Sequence, residues 1–336
     1  MPKIKLKDIA EEANVSIALV SYILNGRHLD RIKSDTADRV RDVAKRLNYH
    51  PNYFAKGLRT QKSSTIGLVL TDLANPFSTR MARIIEDELN KFGYNVLIGS
   101  TDEQGEKLKE LIKVFLSRQV DGLIIMPTEN SKLEIKALHE RGVPYILIDR
   151  YFPDTELNFV VNDNHFSTYS ATRQLIRNGR NKIGFVSFAT NLFHIAERKR
   201  GFVSACEEAG RDSKEMIKEV SLEHLEKDTF AAIAHLVQEQ ADLDALLFAT
   251  NMLAMFGLKY MMRKGLALSE KVELMAIDEA NFYDIFPKPI NYYQQPLKEM
   301  GQKAVQFLVS QIEGNEVKSI HEILRGQLII AAEGQG

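Results

Sequence analysis

From Thr65 onward, short runs of Val, Ile and Leu alternate with amphipathic stretches, and this alternation restricts the fold more than any other feature of the chain. Ile66–Thr71, Asn95–Ser100, Gly122–Met126, Tyr145–Asp149, Ile183–Phe188, Ala245–Ala249 and Val272–Ile277 read as strands, several of them apolar almost without interruption. A strand without a polar face must be buried on both sides, as in parallel sheets covered by helices. Between them, Arg80–Lys91, Gln104–Arg118, Ser131–Arg141, His165–Asn178, Glu197–Ala209, Phe230–Gln240 and Leu253–Lys264 carry the apolar period of helices. Such alternation predicts a doubly wound parallel sheet. It pauses near Phe152–Phe159 and restarts, which predicts two lobes. Ligands of these sheets sit at the carboxyl ends of the strands, so two facing lobes would enclose a cleft there. Polar residues collect at those ends: Asp72 to Phe77, Asp149-Arg150, Asp163-Asn164, Arg198, Asn251 and Asp278-Glu279. Each alone reads equally as a cap, a turn former or a surface charge. Their shared placement points to a site for a polar ligand.

The first sixty residues follow a different pattern. Leu6–Ala13 has Ile9, Ala10 and Ala13 on one helical face, and Asn14 stands where the chain must turn. Asn tolerates the left-handed conformation such a turn requires. Ser16 is placed to cap a second helix running to about Leu24, with Val20, Ile23 and Leu24 inward. Its outer face, Ile17, Ala18, Ser21, Tyr22 and Asn25, has no long charged side chain, unlike an ordinary solvated face. Two helices of this size and spacing form a helix-turn-helix, whose second helix fits the major groove of DNA. A third helix is expected over Ser34–Leu47, with Ser34 as cap, Val40, Val43, Ala44 and Leu47 as its apolar stripe, and Asn48 ending it. Beyond Pro51, Asn52–Leu58 reads either as a plain linker or as a segment that folds on DNA and offers Leu58 as a minor-groove wedge. It is too short to be helical alone, and Gly57 weakens it further.

Charge supports the division. Residues 1–62 carry 13 Lys and Arg against 7 Asp and Glu, whereas the remainder carries 31 against 38. A basic segment on an acidic body predicts that only the first part meets phosphate. The single cysteine, Cys206, excludes an internal disulfide and a cysteine-rich metal site. No run approaches the ~20 apolar residues that span a bilayer, and the start lacks an apolar leader, so a cytoplasmic location is expected. The eight histidines are scattered, and no H-E-x-x-H, G-x-S-x-G or glycine-rich phosphate loop is present. Neither catalysis, a metal nor a cofactor is expected.

Residues 4–62 resemble the headpiece and hinge of the lactose-repressor (LacI/GalR) family of bacterial transcription regulators. The matching positions are Asp8-Ile9-Ala10, Ala13-Asn14-Val15-Ser16, Val20-Ser21-Tyr22-Ile23-Leu24-Asn25, Thr36, Arg39-Val40, Ala44, Leu47-Asn48-Tyr49, Pro51-Asn52, Ala55 and Leu58-Arg59. The resemblance continues through Asn75-Pro76-Phe77, Val120-Asp121-Gly122-Leu123-Ile124, Ile148-Asp149-Arg150, Arg198-Lys199-Arg200-Gly201-Phe202 and Gln295-Pro296-Leu297-Lys298-Glu299-Met300-Gly301. It implies an all-α headpiece over residues 1–49, a hinge over 50–62, and a periplasmic-binding-protein-like core over 63–336. Within that core the first lobe is expected at about 63–160 plus 293–323, and the second at about 161–290 plus 324–336.

The resemblance gives base reading to Ile17, Ala18 and Tyr22, phosphate contact to Ser21 and Asn25, and the minor-groove hinge to Ala55 and Leu58. It gives effector contact to Phe77, Asp149, Arg198, Asn251 and Asp278. The family usually has Thr at Leu19 and Arg at Tyr22. Tyr cannot make the bidentate contact by which Arg reads guanine, so an operator unlike the commonest half-sites is expected. The family's A-N-D is Thr250-Asn251-Met252 here, with Met in place of an acid. The expected protein is a homodimer on near-palindromic operator DNA, controlled by a sugar or sugar derivative. No heptad repeat follows the apolar run at 328–332, which argues against a tetramerising coiled coil.

Overall fold

A computed structural model describes residues 4–26, 28–49, 62–239, 242–265, 272–286, 290–315 and 319–330. The chain divides into two compact units, residues 1–63 and 64–336. In the first, helices α1 (Leu6–Glu12), α2 (Ile17–Leu24) and α3 (Ser34–Arg46) bury Ile9, Ala10, Ala13, Val20, Ile23, Val40 and Val43 against one another. Asn14 and Asn48 are left-handed, with φ of 53° and 50°, as their places after α1 and α3 require. Ser34 does not cap α3. It is the first helical residue, preceded by Lys33, which makes no side-chain cap bond. An ion pair between Arg46 and Glu12 joins α3 to α1.

The larger unit holds two six-stranded sheets. The first contains β1 (Thr65–Leu70), β2 (Asn95–Ser100), β3 (Gly122–Ile125), β4 (Tyr145–Ile148), β5 (Phe159–Asn162) and β11 (His321–Leu324), in the order β11-β5-β4-β3-β1-β2. All its pairings are parallel. Alternate residues of its central strands enter two separate cores. Ile66, Leu68, Leu70, Ile124, Ile146 and Ile148 meet the helices Pro76–Lys91 and Leu297–Ile312 on one face. Val69, Leu123, Ile125, Tyr145 and Leu147 meet Gly105–Ser117 and Lys132–Glu140 on the other. Double burial explains why these strands lack a polar alternation.

The second sheet contains β6 (Ile183–Phe188), β7 (Ile217–Val220), β8 (Ala245–Phe248), β9 (Glu273–Ile277), β10 (Asn291–Gln294) and β12 (Gln327–Ile329), in the order β12-β10-β9-β8-β6-β7. The order reproduces that of the first sheet position for position, except that β12 is antiparallel to β10. The chain crosses between lobes after β5, after β10 and after β11. The lobe boundaries read from the sequence need correcting. β5 belongs to the first sheet, since Asn162 is paired with Leu324, and all of β10 belongs to the second, since Asn291 is paired with Met275. Pro296 marks the actual second crossing, because it lacks the N–H that would continue β10.

Candidate functional site

In the helix-turn-helix unit, the α2 N-terminus is fixed by Ser16, whose Oγ accepts from Leu19 N at 3.2 Å. The carboxylate of Asp8 accepts from Lys5 N at 2.7 Å and so starts α1. With Val20 and Ile23 buried, the opposite face is turned to solvent: Ile17 is 49% and Tyr22 42% exposed, and Ala18 and Asn25 are exposed too. Leu19 is half-buried and packs into the small core. The Tyr22 ring meets His28 edge-on, with centroids 5.2 Å apart. Asn25 Nδ2 donates to Ser21 O at 2.7 Å, so these two expected phosphate contacts hold each other. Ala55 and Leu58 lie outside the described residues.

The larger unit has a cavity of about 580 Å³ at the strand ends. Pro76, Phe77, Thr79 and Arg80 of the first lobe line it, as do Asp278 to Phe282 of the second and Gln295 and Leu297 of the crossing. Asn75 caps the first-lobe helix, its Oδ1 accepting from Phe77 N at 3.0 Å, and thereby aims Phe77 and Arg80. Arg80 forms an ion pair with Glu279 across the two lobes.

Asp149 and Asp278 end β4 and β9, the third strands of their sheets. Each is left-handed, with φ of 71° and 77°, and each N–H donates to the neighbouring strand: Asp149 to Val160 O at 3.2 Å, Asp278 to Tyr293 O at 3.0 Å. A non-glycine residue held there stores roughly 1–3 kcal/mol of backbone strain, a common mark of functional positions. Arg198 is 2% exposed. Its Nε donates to Asn164 Oδ1 at 2.9 Å, one Nη donates to Ala249 O, and the same Nη lies 3.6 Å from the Asp278 carboxylate. Asp278 also accepts from Gln295 Nε2. Gly201 makes this reach possible. A Cβ there would strike the His165 carbonyl and sit 2.9 Å from Tyr169 N, so only glycine lets the Phe193–Glu208 helix lie on Asn164–Arg177.

Electrostatics link the groups. Burial pushes the Asp149 carboxyl up to about 6; Arg150 and Arg198 oppose this, and Asp278 and Glu103 add to it. Arg150 is occupied on one side by both oxygens of Glu103, each at 2.7 Å, and on the other by Asp149 at 3.3 Å. Burial first, then Arg150 and Arg198, hold the His194 imidazole well below its usual range, so it is neutral, and its Nδ1 has no partner.

Of the five expected effector residues, Asp149, Arg198 and Asp278 therefore form one electrostatic group, and Phe77 lines the cavity beside Asp278. Asn251 is buried at its helix start, with Nδ2 donating to Glu279 O at 3.4 Å. Met252 is half-buried and does not line the cavity. Asp163 is a helix cap that accepts from Phe166 N and pairs with Arg325. The sequence reading placed Asp163-Asn164 at a strand end but left out Arg80, Glu103, His194, Phe282 and Gln295. Glu103 and Gln295 adjoin strand ends and were within its reach. His194 carries no local signal. Among the described residues, no helix is long and apolar enough to cross a membrane, and no group of three or more His, Cys, Asp or Glu could hold a metal ion.

Comparison with known proteins agrees with this architecture. Residues 63–326 match the family described as periplasmic binding proteins and sugar binding domain of the LacI family, and residues 5–52 match the bacterial regulatory proteins of the lacI family. The chain is 28% identical over 313 residues to the transcriptional regulator KdgR of Bacillus subtilis, covering 93% of this chain and 92% of that one. It is 29% identical to RegA of Clostridium saccharobutylicum, covering 96% and 97%. Among solved structures, the Lac repressor dimer bound to operator and the anti-inducer ONPF superposes with a TM-score of 0.85 at 20% identity, covering 98% of both chains. The CelR–cellobiose complex gives 0.72 at 23%, covering 99% and 100%. With a helix-turn-helix headpiece and a sugar-binding type of core both matched, the chain belongs to the LacI family of bacterial transcriptional regulators.

Proposed function

We propose that this protein is a repressor of carbohydrate-related genes, which binds a near-palindromic operator as a homodimer and is controlled by a sugar or sugar derivative held between its lobes. The observation carrying this reading is the Arg198–Asp278 pair, buried with Asn164 and Gln295 beside a cavity that Phe77 and Phe282 line from opposite lobes. Carboxylate, amide and guanidinium groups suit sugar hydroxyls, and aromatic rings suit the apolar faces of a sugar. Phe77, Asp149, Arg198, Asn251 and Asp278 are the effector contacts in this reading. A relative solved with cellobiose and one named ribose operon repressor make a carbohydrate effector the natural expectation.

On DNA, Ile17, Ala18 and Tyr22 read bases, Ser21 and Asn25 touch phosphate, and Ala55 and Leu58 enter the minor groove. The exposed apolar Ile17 suits a thymine methyl rather than a guanine edge. Effector binding biases the angle between lobes, which sets the spacing of the paired hinges and hence their folding on DNA. A coupling of a few kcal/mol changes operator occupancy about 10–100-fold. The reading assigns no catalysis, and its DNA partner implies the cytoplasm.

The test is operator selection followed by titration with saccharides. Leu58→Ala is expected to weaken operator binding at least about tenfold while effector affinity stays unchanged. Equal loss of both, or recovery of the family's commonest half-site, refutes the assignments. A saccharide panel that alters neither thermal stability nor operator affinity refutes carbohydrate control.

A further inference from the structure

The charges around the cavity are already matched among themselves. Arg80 is paired with Glu279, Arg198 with Asp278, and Arg150 with Glu103 and Asp149. Of these groups only Arg80, Asp278 and Glu279 line the cavity itself, so two carboxylates there meet one guanidinium, with Arg198 held against Asp278. Arg198 has its remaining described contacts on the acceptors Asn164 Oδ1 and Ala249 O. Lys298 lines a neighbouring hollow of about 550 Å³ rather than the cavity itself. Among the described residues lining the cavity, one buried acceptor has no partner. Gln295 is 5% exposed, its Nε2 is spent on Asp278, and its Oε1 has no partner. Buried acceptors of this kind are satisfied by hydroxyl donors.

From this balance we infer that the cleft takes an uncharged, polyhydroxylated ligand and discriminates against sugar acids and sugar phosphates. The inference rests on the reading of this cleft as the effector site and narrows it. An anionic ligand would be brought, out of water, toward Asp278 and Glu279 with no uncommitted cation to meet it; removing a charge from water without a partner is strongly unfavourable. Phe77 and Phe282 supply apolar walls that a phosphate or carboxylate gains nothing from.

The test uses full-length protein and matched sets on one skeleton: glucose, glucuronate, glucose 6-phosphate and glucosamine, the corresponding galactose set, and cellobiose and lactose with their aldobionic acids. Calorimetric titration is expected to give the neutral form of the best skeleton at least about 100-fold tighter binding than its acid or phosphate, the scale of like-charge juxtaposition in a buried site. Glu279→Gln frees Arg80 and is expected to narrow that gap about tenfold, as one restored ion pair would. An acid or phosphate that binds natural protein as tightly as its neutral parent overturns the inference while leaving the effector site in place. A tighter-binding amino sugar overturns it equally, as does a gap that Glu279→Gln leaves unchanged. Silence from every saccharide, neutral and charged alike, instead overturns the carbohydrate reading beneath it.

Discussion

The two lobes repeat one design and use it differently. In each, the third strand of an identically ordered sheet ends in a left-handed aspartate whose N–H is taken by the next strand. In the second lobe, Asp278 is held by Arg198 from a helix 80 residues earlier in the chain and by Gln295 from the crossing. In the first, the direct cationic contact of Asp149 among the described residues is the adjacent Arg150, whose guanidinium both oxygens of Glu103 already occupy, and Arg198 acts on it only from further away. The charge of Asp278 is thus matched within the protein. That of Asp149 is not, and the first lobe bears the cost of burying a carboxylate that lacks full compensation.

The sharpest way to break this comparison is Arg198→Ala. It strands Asp278 and leaves two acceptors unpaired, so a loss of about 3–5 kcal/mol in the stability of the core is expected. Denaturant melts measure it, and the effector response is expected to vanish while folded protein still binds operator. Asp149→Asn should act in the opposite direction. The unfolded chain releases this proton near 3.8 and the folded chain near 6, so the folded state holds the extra proton between those values. Stability contributed by the protonated group is present below about pH 4 and lost as pH rises through about 6. At pH 7.5 the Asn variant is expected to gain up to about 3 kcal/mol and to lose the natural protein's pH slope, while binding effector more weakly. A thermal melt that falls at pH 7.5 contradicts the account of the first lobe.

A smaller effect separates the helix pairs. Gly201 of the second lobe faces backbone, whereas Gly301 of the first faces the Ile84 side chain at 2.6 Å from an added Cβ. Backbone cannot swing aside but Ile84 can. Gly201→Ala is therefore expected to cost about 1–3 kcal/mol and to disturb effector binding, with Gly301→Ala costing less and leaving binding unchanged.

Much of what could be read beforehand followed from burial, with β5 (FVVN) the exception, buried throughout but only four residues long. β1, β3, β4, β6, β8 and β9 have both faces covered and spell themselves out in Val, Ile and Leu. The edge strands β7 (IKEV) and β11 (HEIL) are four residues long and carry charges outward, so they left no pattern. β10 (NYYQ) is equally short and polar at both ends, and the Leu297–Ile312 helix after it also passed unread. Asp149, Arg198 and Asp278 were legible because strand ends are where a parallel fold keeps its polar groups. Their pairings were not, since Arg198 meets Asn164, Ala249 and Asp278 across 34 to 80 residues of sequence. His194 is a lone ring on a helix until the fold surrounds it with arginines.

The three crossings are tied to one another. Asp163 N donates to Leu324 O at 2.7 Å, Arg325 meets Asp163 at 3.0 Å, and Gly326 N donates to the Tyr293 hydroxyl at 2.6 Å. Three tethers braided in this way suppress sliding and separation and leave bending as the soft motion. A molecule with one free coordinate has one message to send. On the proposed function, whatever fills the cavity is reported as an angle, and ligands that settle the same angle are equivalent to the DNA whatever their structures.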